Sequence, residues 1–584
     1  MQAVFSILLA RCKQHWSALI IAFGIGLVTL MPQLLLLQEA GSSYRGIDMT
    51  GTDTEEYYII RVREAYDGHW NIASPDLSEY KAKPYAQPPL MEIIEGTLAR
   101  ILGVTAMQIV TIGKFVFPAL LFLVLYGLFY LISRSRSLSL VAPATVILAS
   151  NFILSPGGVL GILRADFSGL NTIVDYSRPI NPQMSSLIFF FWLYFFYSWL
   201  KSHKNSQYFV AVLFLGLMFY TYIYSWMLAF GLIVLLLLAS FFPSVTHLSL
   251  PRKKMFWLLG GALIISLPYW YNFFRSISDP IYPLLQKRYG FYSSHQFIWS
   301  NILFLDFVVL LAFYGRRSKD WLFYWFLCQF AALFFLINQQ VITGLRFYPG
   351  HWHWYYIAPL TIFFVYWCLY RIISGRSLFL RYLITVIILL LVFANGVTRQ
   401  YLGYEKNKAL ALDSQRYAAV YQWLEKNSSP DDVVLAHGQL NVDLPIYTHD
   451  NSYLSRWGEF YLVPMERFRD RLYANLYLAG ANDRNIDSFV SQKNKDVYEY
   501  LFGRYQLKTG ACKEGCFTQA QLDQVKADYL TWLQKVDSRQ FFQQYRLDYA
   551  LWDKQSDQQW NLDQYPWLQA ISEINGIKIY RFQP

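Results

Sequence analysis

The sequence predicts a polytopic α-helical membrane protein of about eleven transmembrane helices with an extracytoplasmic α/β domain at its C-terminus. Three observations predict it. The 584 residues are 55% hydrophobic and only 15% charged, whereas a soluble globular chain carries about 25% charged residues. Apolar runs of membrane-spanning length recur throughout residues 1–397. From 398 to 584 the chain turns polar and mixed, over a stretch long enough for a domain. This composition excludes a disordered chain, a collagen, a disulfide-stapled miniprotein and a basic-patch nucleic-acid binder, so no nucleic-acid partner is expected.

The apolar runs fall at about 17–37, 107–132, 138–155, 184–200, 207–223, 226–242, 255–272, 298–314, 321–337, 355–371 and 379–397. The first is long, has no small-residue cleavage site and contains Pro32, so it reads as a helix rather than a signal peptide. Basic clusters lie between alternate runs: Arg11/Lys13, Arg134/Arg136, Lys201/Lys204, Arg252/Lys253/Lys254, Arg316/Arg317/Lys319 and Arg371/Arg376/Arg381. All share one side of the membrane, which the positive-inside rule makes the cytoplasm. The short outer loops keep only Arg164, Arg178, Arg275, Lys287, Arg288 and Arg346. Much of the net charge of +11 is thereby placed. The expected location is the cytoplasmic membrane, with the N-terminus inside and the tail outside. Lys114 and Asp306 fall within spans, where charges are functional candidates by default. Lys114 is close enough to the outer end to snorkel, and Asp306 is expected to pair within the bundle.

The first outer loop, 38–106, is too long for a simple connector. It opens with TDTEEYY, in which Thr52 or Asp53 is an expected N-cap and Glu55 and Glu56 occupy the first helical turn. Such a helix start also holds a carboxylate facing the outer cavity. At the other end of the loop, Leu90, Ile94, Leu98 and Ile101/Leu102 share one helical face, while Glu92, Glu95 and Arg100 fall largely off it. That pattern predicts a helix lying in the membrane interface.

In the tail a helix at 414–426 leads through the turn NSSPDD to a strand at 433–437. Further helices are expected at 465–480, 488–503 and 518–540. LDYALWD follows, and then LQAISEINGIKIYRF, whose Asn575-Gly576 pair signals a hairpin. Cys512 and Cys516, in ACKEGC, are either a local disulfide or two idle thiols. The chain contains no repeats or low-complexity tracts.

Four segments, in this order and topology, support a resemblance: TDTEEYYIIRVREAYDGHW, YSRPINPQ, ITGLRFYPGHWHW and YQWLEKNSSPDDVVLA. Together with the long first outer loop and the outer C-terminal domain, the plan resembles the GT-C superfamily of integral-membrane glycosyltransferases. More narrowly, it resembles the bacterial dolichyl-phosphate-mannose-mannosyltransferase-like group. The resemblance implies inverting transfer of a sugar from a polyprenyl-phosphate-linked donor lipid to a glycan, lipid or protein acceptor on the extracytoplasmic face. It also implies a catalytic base among the first-loop acids, with Asp53 first and Glu55 second. The family motif is usually Asp-Asp or Asp-Glu, whereas this chain has Asp-Thr-Glu-Glu, so the motif alone does not decide between them.

Such a transfer needs a base for the acceptor hydroxyl and cations for the departing phosphate. Arg178, Arg275, Arg288 and Arg346 are in the right compartment for the phosphate, and an arginine fork binds two of its oxygens at once. The competing role for each is a headgroup anchor. His351 and His353, in GHWHW, would face one side of an extended segment. They are candidates for phosphate or hydroxyl hydrogen bonding, or for a divalent cation shared with Asp53 or Glu55, or for an aromatic belt. No metal ligands are assigned, and the cofactor stays open. Tyr57, Tyr58, Trp70, Tyr176, Tyr355, Trp457 and Tyr461 offer flat rings for sugars or for interface anchoring. Two other functions compete: a non-catalytic membrane assembly subunit, and a transporter of lipid-linked glycans. A transporter usually shows an internal repeat and midplane polar sites.

Overall fold

A computed structural model describes residues 14–52, 54–155, 157, 173–241, 250–314, 320–491, 497 and 518–583. A helix forms in each of the eleven apolar runs. They are α1 (Trp16–Ala40), then α4 (Ala106–Ser133), α5 (Arg136–Leu148), α6 (Gln183–Ser202), α7 (Asn205–Leu217) and α8 (Ile223–Ala239), the broken pair α9 (Arg252–Ile265) and α10 (Leu267–Ile277), and finally α12 (Asn301–Tyr314), α13 (Trp321–Ile337), α14 (Ala358–Ile373) and α15 (Leu378–Asp413). Five are long and apolar enough to cross a bilayer by length and composition alone, including α1, α4 and α13. The chain is a polytopic integral membrane protein. The seventh run breaks at Ser266 because Pro268, at the start of α10, brings no backbone N–H to continue the ladder.

Inside the bundle the core is aromatic, with Trp192, Trp199, Trp325 and Trp352 fully buried. Large apolar side chains such as Phe23, Phe209, Trp257, Ile264 and Leu390 point outward, as a surface solvated by lipid requires. Asp306 is buried and accepts a 2.5 Å hydrogen bond from Thr361 Oγ1, a pairing internal to the bundle.

The long loop 38–106 contains α2 (Glu55–Asp67) and α3 (Leu90–Leu102), packed on each other. Gly96 allows this approach, since a Cβ there would lie 2.7 Å from Tyr66 N. On α3, Ile94, Leu98, Ile101 and Leu102 are exposed, while Glu92 and Glu95 are fully buried. Glu92 meets Arg61 of α2 at 2.6 Å. The apolar face of α3 is therefore its outside.

At α15 the chain leaves the bundle without a break. Its 36 residues amount to about 54 Å of helix, against roughly 30 Å of bilayer hydrocarbon. The expected division at 397/398 falls inside this helix. Beyond it, a five-stranded sheet has the order β4-β3-β5-β7-β6. Its strands are β3 (Val433–Leu435), β4 (Asn451–Ser452), β5 (Tyr549–Asp553), β6 (Leu568–Ile574) and β7 (Ile577–Phe582). β4, β3 and β5 run parallel, and β5, β7 and β6 antiparallel.

Strand alternation makes two cores. Val433, Leu435, Ala550 and Trp552 face α18 (Met465–Leu478) and α19 (Gln519–Leu533). Val434, Tyr549 and Leu551 face α16 (Ala418–Asn427) and α17 (Gly438–Tyr447). The β6–β7 turn places Asn575 and Gly576 at positive φ, as a type I′ turn demands. The helix expected over 518–540 ends at Leu533, and Asp537 caps a new one by accepting from Gln540 N. Of the helix expected at 488–503, residues 492–496 and 498–503 lie outside the described residues, as do Cys512 and Cys516.

Ion pairs join the long loop 38–106 to the tail. Arg63 meets Glu425 at 2.9 Å, Lys81 meets Asp431 at 2.5 Å, and Arg467 meets Glu79 at 2.7 Å.

Candidate active site

The start of α2 is built on a buried charge pair. Lys114, near the N-terminal end of α4, places Nζ 2.5 Å from Glu55 Oε1 and donates to Met49 O at 3.1 Å. The other carboxylate oxygen, Glu55 Oε2, accepts from Gly51 N, Thr52 N and Thr52 Oγ1 at 2.9–3.0 Å. Burial opposes ionisation of Glu55, but the Lys114 charge and these donors hold its carboxyl below the ordinary carboxylate range. Glu55 thus folds the segment ahead of it back onto the helix start. The helix begins behind Thr54 rather than at a side-chain cap from Thr52, and Thr54 sits at φ 59° with no side-chain cap bond. A β-branched residue in the left-handed region costs roughly 1–3 kcal/mol and persists only where its surroundings enforce it. Asp53 itself lies outside the described residues.

Glu56 behaves differently. Burial raises its carboxyl pKa, the neighbouring Glu55 charge adds to the shift, and Thr50 Oγ1 donates to it at 3.0 Å. In α17, burial pushes the Asp443 carboxyl up to about 8, Gln439 opposes the shift through a hydrogen bond, and the Glu56 charge reinforces it.

Thr54, Tyr57 and Tyr58 form one wall of an open cavity. The segment 85–88, the stretch 221–224, α10, α11 (Tyr282–Arg288) and the residues just after it supply the other walls, with Tyr348 and His351 beyond. Phe460 from the tail closes one side, its ring 4.6 Å from that of Tyr57. On α10, Asn272 Nδ2 and Ser276 Oγ both donate to Tyr85 O and so fix the 85–88 wall. Tyrosine dominates the lining: Tyr57, Tyr58, Tyr85, Tyr222, Tyr224, Tyr269, Tyr282, Tyr289 and Tyr348. Rings with a hydroxyl at the rim suit a ligand that is apolar in one part and hydroxylated in another.

Arg178 is the arginine that lines the cavity among the described residues, which contribute no lysine to it. Its Nε donates to Asn181 O at 2.6 Å, and its Nη2 donates to Tyr58 OH at 3.3 Å. The guanidinium lies 5.3 Å from the Tyr58 ring centre. The loop that carries it turns through Ile180 at φ 61°, a second β-branched residue held in the left-handed region. A guanidinium pinned this way is oriented before a ligand arrives.

The other expected phosphate ligands are not all in this place. Arg288 is buried, donates to Val463 O at 2.7 Å and lies 4.1 Å over the Phe468 ring, so it clamps the tail from beneath. Burial lowers its pKa to about 10. Arg275 is exposed beside Tyr271. Arg346 belongs to β2 (Leu345–Arg346), which pairs with β1 (Tyr292–Ser293), and it stacks on Tyr292. His351 reaches the cavity, with Nδ1 2.6 Å from Tyr222 OH and its ring stacked on Tyr355. His353 is not among the cavity-lining residues. The expected extended GHWHW segment is helical instead: Pro349 opens a helical turn that runs into a π-turn over His353–Ile357, so the two rings diverge. Among the described residues no three His, Cys, Asp or Glu side chains converge as metal ligands do.

Of the singled-out aromatics, Tyr57 and Tyr58 line the cavity, Trp457 and Tyr461 pack behind Tyr57, and Trp70 is exposed. Sequence reasoning missed Tyr222, Tyr269 and Tyr289, and also Glu92 and Glu95 as buried groups. Only a three-dimensional arrangement distinguishes such tyrosines from interface anchors.

No protein-family model and no curated protein matches the chain. Among solved structures it is similar to two crystal structures of ArnT from Cupriavidus metallidurans, one in the apo state and one bound to undecaprenyl phosphate. Each aligns over 94% of this chain and 97% of that one, at 12% sequence identity and a TM-score of 0.42. A likeness that loose transfers neither residues nor activity.

Proposed function

We propose that this protein transfers a sugar from a polyprenyl-phosphate-linked donor to an acceptor at the outer face of the membrane. Residues 1–397, with the N-terminus cytoplasmic, form the membrane part, and the tail 398–584 is extracytoplasmic. Asp53 is the base, one residue along the chain from cavity-lining Thr54. It takes the proton of the acceptor hydroxyl as that oxygen bonds to the anomeric carbon. The bond from that carbon to the phosphate oxygen breaks, and its electron pair leaves with the polyprenyl phosphate. Arg178 holds the phosphate and stabilises the charge it gains. Glu55 is a positioning residue, since its two oxygens already serve Lys114 and the Gly51–Thr52 segment.

One observation above all supports this reading: a pre-oriented arginine in a tyrosine-walled cavity that also borders the strained start of α2. The donor tail is apolar and its sugar hydroxylated, which matches that lining. The test is release of polyprenyl phosphate from a radiolabelled sugar-lipid by purified protein in the presence of membrane-derived acceptors. Release that depends on acceptor supports the proposal. A donor left intact under every acceptor fraction rejects it.

A further inference from the structure

We propose a second ligand site, a carbohydrate-binding cavity in the C-terminal domain at the carboxyl edge of β3 and β5. These strands are parallel neighbours, so their chains leave the sheet at the same edge. β3 continues through Ala436 and His437 into α17, and β5 continues through residues 554–560. Crevices outside the carboxyl ends of parallel strands are where such sheets hold ligands. Here a cavity of about 630 Å³ opens between these two turns and α18. That lies within the range of about 300–1,000 Å³ usual for small-ligand sites.

Its polar groups are fixed in place. His437 Nδ1 lies 2.5 Å from Asp557 Oδ1, and its ring centre is 5.2 Å from that of Trp560. Asp557 is anchored through its backbone. Its N–H donates to Asp553 O, and its carbonyl accepts from Trp552 Nε1 and Trp560 N. Across the cavity, Asn475 Oδ1 is buried and has no hydrogen-bond partner among the described residues. Buried amide oxygens are rarely left unpaired, so this one calls for a donor from a ligand.

The lining chemistry selects the ligand class. Asn475, Gln558 and Gln559 each offer a donor and an acceptor, and Asp557 adds a fixed acceptor. Sugar hydroxyls likewise donate and accept, which makes amide pairs natural partners for them. Asp557 sets a carboxylate against the cavity, which disfavours phosphates and nucleotides. Leu472, Leu476 and Phe489 supply an apolar wall for the C–H face of a sugar ring. The geometry therefore points to a neutral mono- or disaccharide unit. This site does not depend on the transferase reading of the membrane cavity.

The experiment is saturation-transfer NMR and calorimetric titration of the full chain in lipid nanodiscs. The probes are maltose, cellobiose, chitobiose and mannobiose, with inorganic phosphate for comparison. At least one disaccharide should bind saturably, with a Kd within reach of about 10 mM titrant. Gln559→Ala, at an exposed position, and Asp557→Asn, which keeps its shape, should each weaken binding by about fivefold to tenfold, as loss of a ligand hydrogen bond does. Arg178→Ala should leave it unchanged. The proposal is overturned if no disaccharide saturates, if phosphate binds more tightly than all four, or if both tail variants bind like the parent. Loss of saccharide binding in Arg178→Ala would move the ligand to the membrane cavity and overturn it equally.

Discussion

Replacing Lys114 with methionine strips a buried carboxylate of its counterion. Glu55 is only 1% exposed, and its side chain meets the Lys114 ammonium at 2.5 Å. Breaking a buried pair from one side typically costs about 3–5 kcal/mol. Three donors to Oε2 remain in the variant, which places the expected loss toward the lower figure. Adding Glu55→Gln removes the stranded charge, so the double variant should recover more than half of the loss.

The pH dependence of the single variant follows from the same geometry. In the parent the folded-state pKa of Glu55 lies below its unfolded value. Its contribution is therefore fully present above the unfolded pKa, about 4.3, and is lost as pH falls through the folded pKa. In Lys114→Met, burial acts without its opposing charge and the folded pKa rises above the unfolded one. That variant loses stability as pH rises, so the gap to the parent widens from pH 5 to pH 7. Thermal unfolding of purified protein in detergent at both pH values measures it. The reasoning is refuted if Lys114→Met unfolds like the parent, or if the double variant is no more stable than the single.

The other predictions concern separate parts of the molecule. Arg178→Lys loses the fork and should weaken donor-lipid binding by about 10- to 100-fold, whereas Arg275→Lys should be silent; equal effects in a donor-lipid binding assay would contradict the assignment. Arg288→Met should loosen the tail through loss of its bond to Val463 O, which increased proteolysis of the tail in otherwise folded protein would reveal. Asp443 has a folded pKa of about 8, above its unfolded value, so it destabilises the fold as pH climbs between the two. Asp443→Asn should remove a slope of at most about 1.4 kcal/mol per pH unit, seen as a flatter thermal-stability profile from pH 5 to pH 8.

The membrane helices were legible because lipid imposes a length and a composition that a single run of sequence displays. The end of α15 was not, since polarity changes near 398 while helical structure continues to Asp413. Gly396 and Gly403, which resemble terminators, are close-packing positions: a Cβ at Gly403 would lie 2.1 Å from Ile173 Cγ1. In the tail, the Asn575-Gly576 turn and the alternating strands were readable because their signals are local. The cavity was not, because its walls come from eight separate segments. Arg178 and Arg288 look alike in sequence as outer-loop arginines. Burial beneath Val463 separates them, and no local pattern records it. Glu92 and Glu95 lay off the apolar face of α3 as expected, but that face turns outward and the acids turn in.

Asp53→Asn tests the central claim most directly. The measurement is the single-turnover rate of sugar transfer from labelled polyprenyl-phosphate donor, compared with the parent at matched thermal stability and donor affinity. An amide cannot take the acceptor proton, so the rate should fall by about 10²- to 10⁴-fold while donor binding holds. Transfer at the parent's rate by Asp53→Asn would contradict the account.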